Sequence, residues 1–158
     1  MTKEAVITLI SWIIVGILLI IFVPRKKIRE ALVIFFFKQF ITWLLGLSIV
    51  ELGLIKYPYR QFPHATLTSF TFEFFVYPSI CVFFCLYYPK NSKQKVAFHY
   101  FIYCTVITTI EVILEIYTSL IVYIHWNWFY TWISLLITFF ISRKFYVWFF
   151  RLNEKRQQ

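Results

Sequence analysis

Five long apolar runs, separated by short connections that carry prolines and charges, organise this chain of 158 residues. They cover residues 5–23, 31–55, 65–88, 96–124 and 126–146. The first, at a rise of ~1.5 Å per residue, measures ~29 Å, the thickness of a bilayer's hydrocarbon core. The runs are apolar on every side, whereas barrel strands alternate polar and apolar residues, so helices are the elements this pattern specifies. It predicts an all-α, polytopic integral membrane protein. Residues 1–158 then form one bundle of five transmembrane helices with a short basic tail at 147–158.

The connections fit that plan. Pro24 stops the first helix before Arg25, Lys26, Lys27 and Arg29; Pro58 and Pro63 break the stretch from Lys56 to His64; Pro89 opens a short polar segment to Lys95. The fourth run is too long for a straight crossing and is expected to tilt or to begin in the interface. A cleaved signal peptide competes as a reading of the first run. Against it, Glu4 balances Lys3, no small-x-small site precedes Pro24, and the charged cluster follows the apolar stretch, which favours a retained helix. The tail from Phe145 either extends the last helix or bends into the interface.

Composition sets the solvent. With 61% hydrophobic and 23% aromatic residues and a mean hydropathy of +0.73, the chain belongs in lipid. The net charge of +9 would point to nucleic acid in a soluble protein, but here the basic residues occupy turns between apolar runs, where they set orientation. Arg25, Lys26, Lys27, Arg29, Lys90, Lys93, Lys95, Arg143, Lys144, Arg151, Lys155 and Arg156 fall on one side, and Lys3, Lys56 and Arg60 on the other. The positive-inside rule therefore predicts the N-terminus outside and the C-terminus in the cytoplasm. The bilayer is the expected partner, with anionic headgroups meeting Arg25, Lys26, Lys27 and Arg29. A homo-oligomer or another membrane protein is a further candidate partner; nucleic acid and cofactors are not expected.

Four of the seven carboxylates, Glu51, Glu73, Glu111 and Glu115, lie within the runs, and the chain has no aspartate. A carboxylate at the centre of a membrane helix costs ~3 kcal/mol on insertion scales, so these side chains must face protein, water or one another. By helical rise, Glu51 lies ~8 Å from Lys56, Glu73 ~14 Å from His64 and Glu115 ~15 Å from His125, with Glu111 one turn deeper. All four then sit in the outer half, beneath Lys56, Arg60, His64 and His125. Thr108, Glu111, Glu115 and Thr118 follow offsets of three and four, as do Thr66, Ser69, Glu73 and Tyr77, and each set would share a helix face. Pro78 withholds a donor from the carbonyl of Phe74, and Gly46 and Gly53 offer room for a neighbouring helix. Glu111 and Glu115 form the expected coupled pair.

The remaining polar residues have blander readings. Lys38, ~12 Å from the inner end, is expected to snorkel to the cytoplasmic headgroups. Trp12, Trp126, Trp128, Trp132 and Trp148 are expected at the membrane interfaces. Cys81, Cys85 and Cys104 read as core residues, and the histidines lack the paired spacing of a helical zinc site, so no metal is expected. No nucleophile triad, P-loop or dinucleotide fingerprint is present, which leaves no catalytic residues to name.

The stretch WLLGLSIVELGLIKYPYRQFPHATLTSFTFEFFVYP from Trp43 to Pro78, together with HWNWFYTW from His125, resembles a family of small multi-spanning proteins of spore-forming Gram-positive bacteria that has no assigned activity. The resemblance implies a bacterial cytoplasmic membrane and assigns no role to any residue. From the residues themselves, the leading expectation is binding or movement of a small cation, proton or polar solute through Glu51, Glu73, Glu111 and Glu115, with Arg60, Lys56, His64 and His125 shaping the outer field. The alternative is a structural or accessory subunit whose polar seam joins helices. An intramembrane enzyme acting on lipid is a third class.

Overall fold

The computed structural model describes residues 2–89 and 92–156, and the side chains as far as Arg151. Lys90 and the side chains of Lys155 and Arg156, three members of the basic side, lie outside the described residues, as does the end of the tail. Five helical elements follow one another: α1 (Lys3–Phe22), α2 (Ile28–Glu51), a π-helical segment Phe70–Val76 that runs into α3 (Tyr77–Leu86), α4 (Lys93–Tyr117) and α5 (Trp128–Arg156). A two-residue strand β1 (Ile55–Lys56) pairs antiparallel with β2 (Val122–Tyr123). Among the described residues, α1, α2, α4 and α5 are long and apolar enough to cross a membrane, and Phe70–Leu86 is a shorter apolar helix.

Local chemistry explains where these helices depart from the apolar runs. The second starts at Ile28, after a 3-10 turn over Arg25–Lys27, and ends at Glu51, where Gly53 turns the chain with φ of 69°. The third begins five residues later than its apolar run. Thr66 Oγ1 accepts from the amide of Thr68 and Ser69 caps the amide of Phe72, so hydroxyls hold 65–69 in a non-helical turn. The fourth stops at Tyr117 because Thr118 is extended and its hydroxyl bonds back to the carbonyl of Leu114. Residues 118–124 therefore form a connection, and Thr118 is not on the helix face shared by Glu111 and Glu115. The tail continues α5 to Arg156.

The connections gather at two ends. At one, β1 meets β2, the amides of Ile124 and His125 donate to the carbonyl of Leu54, and the amide of Tyr59 donates to Ser119. The start of α1 joins them, with Lys3 Nζ on the carbonyl of Tyr117 at 2.9 Å and the Glu4 carboxylate accepting from the amide of Ser119. We call this the cap end. At the other, Tyr87 donates to the carbonyl of Phe22, Tyr146 to the carboxylate of Glu30, and Arg143 to the carbonyl of Cys85 while lying over the Tyr88 ring. This is the basic end.

Close packing and buried hydrogen bonds join the helices. Near the basic end Phe84 is fully enclosed by Tyr88, Tyr100, Tyr103, His99 and Phe139, with Cys81, Cys85 and Cys104 in the same core. Beneath the cap, Ile55, Tyr57 and Ile121 form a smaller apolar cluster. Helix α1 attaches through Trp12, which stacks on Phe75 at 4.0 Å and donates to Thr71 Oγ1 at 2.9 Å. Trp12, ten residues into its helix and half-buried, thus packs α1 against the π-helical segment. Outward faces stay apolar, as Leu9, Ile13, Ile20, Phe36 and Phe40 illustrate.

Candidate functional site: a polar cavity between α2, α3, α4 and α5

The π-helical segment positions the first acidic group. Its wide winding ends where the amide of Tyr77 donates to Phe72, five residues back, and Pro78 follows with no N–H to give. The carbonyls left over are met from α2: Gln39 Nε2 donates to Phe74 at 2.9 Å, and Thr42 Oγ1 reaches the carbonyl of Glu73 at 2.8 Å. The acceptor expected beside Glu73 is therefore present, and it is filled by a side chain from a neighbouring helix. One turn further along α2, Gly46 is buried, and the carboxyl group of Glu73 occupies the space where a Cβ of residue 46 would stand. A bare backbone is what admits this side chain. The Tyr57 and Thr68 hydroxyls lie beside the carboxyl group, while its Oε2 is buried without a hydrogen-bond partner. A buried polar oxygen in that state marks a place where water or a ligand is to be expected.

The second acidic group is satisfied. Glu111, on α4, accepts from Tyr77 at Oε2 (2.7 Å) and from Tyr123 (2.7 Å) and Thr131 (2.8 Å) at Oε1. Thr131 in turn accepts from the Trp126 indole at 2.8 Å. One carboxylate thus ties α3, α4, α5 and the β2 connection together.

Glu73 and Glu111 line one cavity of about 80 Å³, whose walls include Gly46, Tyr57, Thr131 and Thr138. A water needs ~10–15 Å³ of this kind of space, so the cavity has room for several waters or a small hydrated ion. Tyr57 roofs it from the cap end, and burial, followed by the neighbouring Glu73 and Glu111, pushes its phenol well above the ordinary tyrosine range. It stays an O–H donor across the working pH range.

The other residues singled out by sequence do not join this cavity. Glu51 is exposed at the end of α2 and shares a surface groove with His64, and Glu115 is half-buried one turn beyond Glu111. Lys56 and His125 are exposed on the cap. Arg60 donates to the carbonyls of Tyr57, Thr66 and Pro63, so it knits the 57–66 turn together. The acidic partner facing Glu111 across the cavity is Glu73, on another element, in place of the expected Glu115. No group of three or more His, Cys, Asp or Glu stands close enough to hold a metal ion among the described residues.

Lys38 is the residue that the snorkelling expectation misplaced. Its side chain is 0% exposed and turned into the bundle, with Nζ 2.5 Å from Thr138 Oγ1 and 4.6 Å from the centre of the Phe139 ring. The helix pattern contains the cue: Lys38, Thr42 and Gly46 succeed one another at intervals of four on α2, the face that meets Glu73. Thr131, Ser134, Thr138 and Ser142 make the matching polar stripe on α5, hidden in the sequence among large apolar residues.

The class defined by these features is a mostly helical protein with, among the described residues, four helices long and apolar enough to cross a membrane and a small acidic cavity between them. No family model, curated protein or solved structure matches the chain.

Proposed function

We propose that the protein is a five-crossing membrane protein that binds a proton or small cation in the Glu73–Glu111 cavity and passes it toward the membrane interior. The cap end faces the outside and the basic end the cytoplasm, with Phe70–Leu86 as the shorter third crossing. A bacterial cytoplasmic membrane is the setting, and Arg25, Lys26, Lys27 and Arg29 meet anionic headgroups at the basic end.

One observation carries the reading: a buried carboxylate, admitted by a glycine, presents an unpartnered oxygen to a water-sized cavity shared with a second carboxylate. Glu111 alone would support the accessory reading, since its three hydroxyl partners make it a joint between helices. A joint does not require Glu73, whose oxygen contributes no such bond.

The expected result is that purified protein in detergent shows thermal unfolding that shifts with pH or with added sodium or potassium, and that Glu73→Gln loses the shift. A ligand at ~100 times its Kd stabilises by ~2.7 kcal/mol, large enough to read as several degrees. An unchanged shift in Glu73→Gln would remove the cavity as the binding site. Orientation has its own check. A cysteine placed at His125 should react with a membrane-impermeant maleimide from outside intact cells and one at Lys93 should not, while the buried Cys81, Cys85 and Cys104 stay silent. The reverse labelling pattern would invert the topology.

A further inference from the structure

We propose that Lys38 is a second proton station, which exchanges a proton with the Glu73 cavity through the hydroxyl of Thr138. The proposal rests on the cavity reading above and narrows its ligand from small cations to the proton.

The geometry begins with what surrounds the amine. Facing it are Cys81 and Cys85 from α3 and Cys104 from α4, with Thr138 and the Phe139 ring from α5. Ser142 stands beside Cys81, and Arg143 reaches toward the same region but spends its donor on the carbonyl of Cys85. A buried lysine kept for structure is ordinarily paired with a carboxylate. Here the hydrogen-bond partner of the amine is a hydroxyl, and that hydroxyl belongs to a residue lining the carboxylate cavity. Thr138 therefore both accepts from the amine and lines the cavity.

A fixed ammonium next to the cavity would repel a metal cation moving inward, because like charges in a poorly screened interior interact strongly. An amine that gives up its proton removes that barrier, and only proton traffic uses the property. The step balances: the Glu73 carboxylic acid and the Lys38 free amine become the Glu73 carboxylate and the Lys38 ammonium. The cavity delivers one proton to Thr138 Oγ1 as the hydroxyl's own proton passes to Nζ. That proton now points to the carbonyl of Leu135 at 3.1 Å, so a rotation about the Cβ–Oγ1 bond accompanies the transfer. No oxidant or co-reactant is involved, and the reverse step returns the proton.

The test uses the full chain in proteoliposomes with an entrapped pH-sensitive dye and an imposed pH gradient, alongside infrared spectra of the carboxyl band that Glu73→Gln deletes. Lys38→Met, similar in volume, and Thr138→Val, similar in shape, should each reduce proton flux about a hundredfold, the scale of a lost acid–base group. In both variants the Glu73 band should still respond to pH, which shows the bundle and the cavity to be intact. Wild-type flux in Lys38→Met, or no flux in the wild-type protein while the Glu73 band titrates, overturns the relay and leaves the cavity reading standing. A wild-type spectrum with no pH-sensitive band removed by Glu73→Gln overturns the relay and proton binding at Glu73, and loss of the sodium or potassium shift as well overturns the cavity reading.

Discussion

Replacing Gly46 with alanine should abolish the pH or cation response of the cavity while changing the stability of the bundle by about 1 kcal/mol or less. The first half follows from where the Glu73 carboxyl group sits: the new methyl takes its place, so the acid must swing out of the cavity or force α2 from the π-helical segment. The second half follows from a near-cancellation. Alanine in a helix interior gains about 0.5–1 kcal/mol over glycine, and the atoms it meets are the far end of a side chain that can rotate. Valine at the same position should also destabilise, by about 1–3 kcal/mol, because its branched volume reaches beyond what the rotation of Glu73 clears. The check is thermal unfolding in detergent with and without the pH change. If Gly46→Ala keeps the full response, the contact between Gly46 and Glu73 is not what holds the site.

How much of this was legible beforehand depended on which interactions are local. The apolar runs marked all five helical elements because hydropathy is a property of each segment separately, though only four of the five are long and apolar enough to cross a membrane. Their ends moved where a hydroxyl competed for the backbone, as at Thr66 and Thr118, and the competition is invisible to hydropathy. Glu73 and Glu111 stood out because a buried acid is costly wherever it sits. Glu51 and Glu115 carried the same signal and failed to join them, since helix ends and small rotations decide exposure. Lys38 was misread for a related reason: a stem long enough to reach the headgroups is equally long enough to reach Thr138, and only the packing of α2 on α5 chooses between them. Gly46 shows the limit of pattern reading. Its spacing suggested room for a neighbouring helix, and what fills the space is the carboxyl group of Glu73 from the π-helical segment, which spacing alone does not name.

The two cavity acids should respond to mutation in opposite ways, and this separates binding from scaffolding. Glu111→Leu strands three hydroxyl donors, those of Tyr77, Tyr123 and Thr131, by removing the acceptor they share. Interhelical hydrogen bonds in membranes average ~0.6 kcal/mol and reach ~1.7, so three together predict a loss of about 2–5 kcal/mol. Glu73→Leu strands less, because its Oε2 has no partner and only the Tyr57 and Thr68 hydroxyls beside the carboxyl group lose a neighbour. That variant should lose less stability than Glu111→Leu and should show no pH or cation response at all. Chemical or thermal unfolding of both variants in the same detergent decides the matter. Equal destabilisation would make Glu73 a second structural joint and return the seam to the accessory reading. Stability lost mainly at Glu111, with response lost at Glu73, would mean that one acid holds the helices in place so that the other can bind.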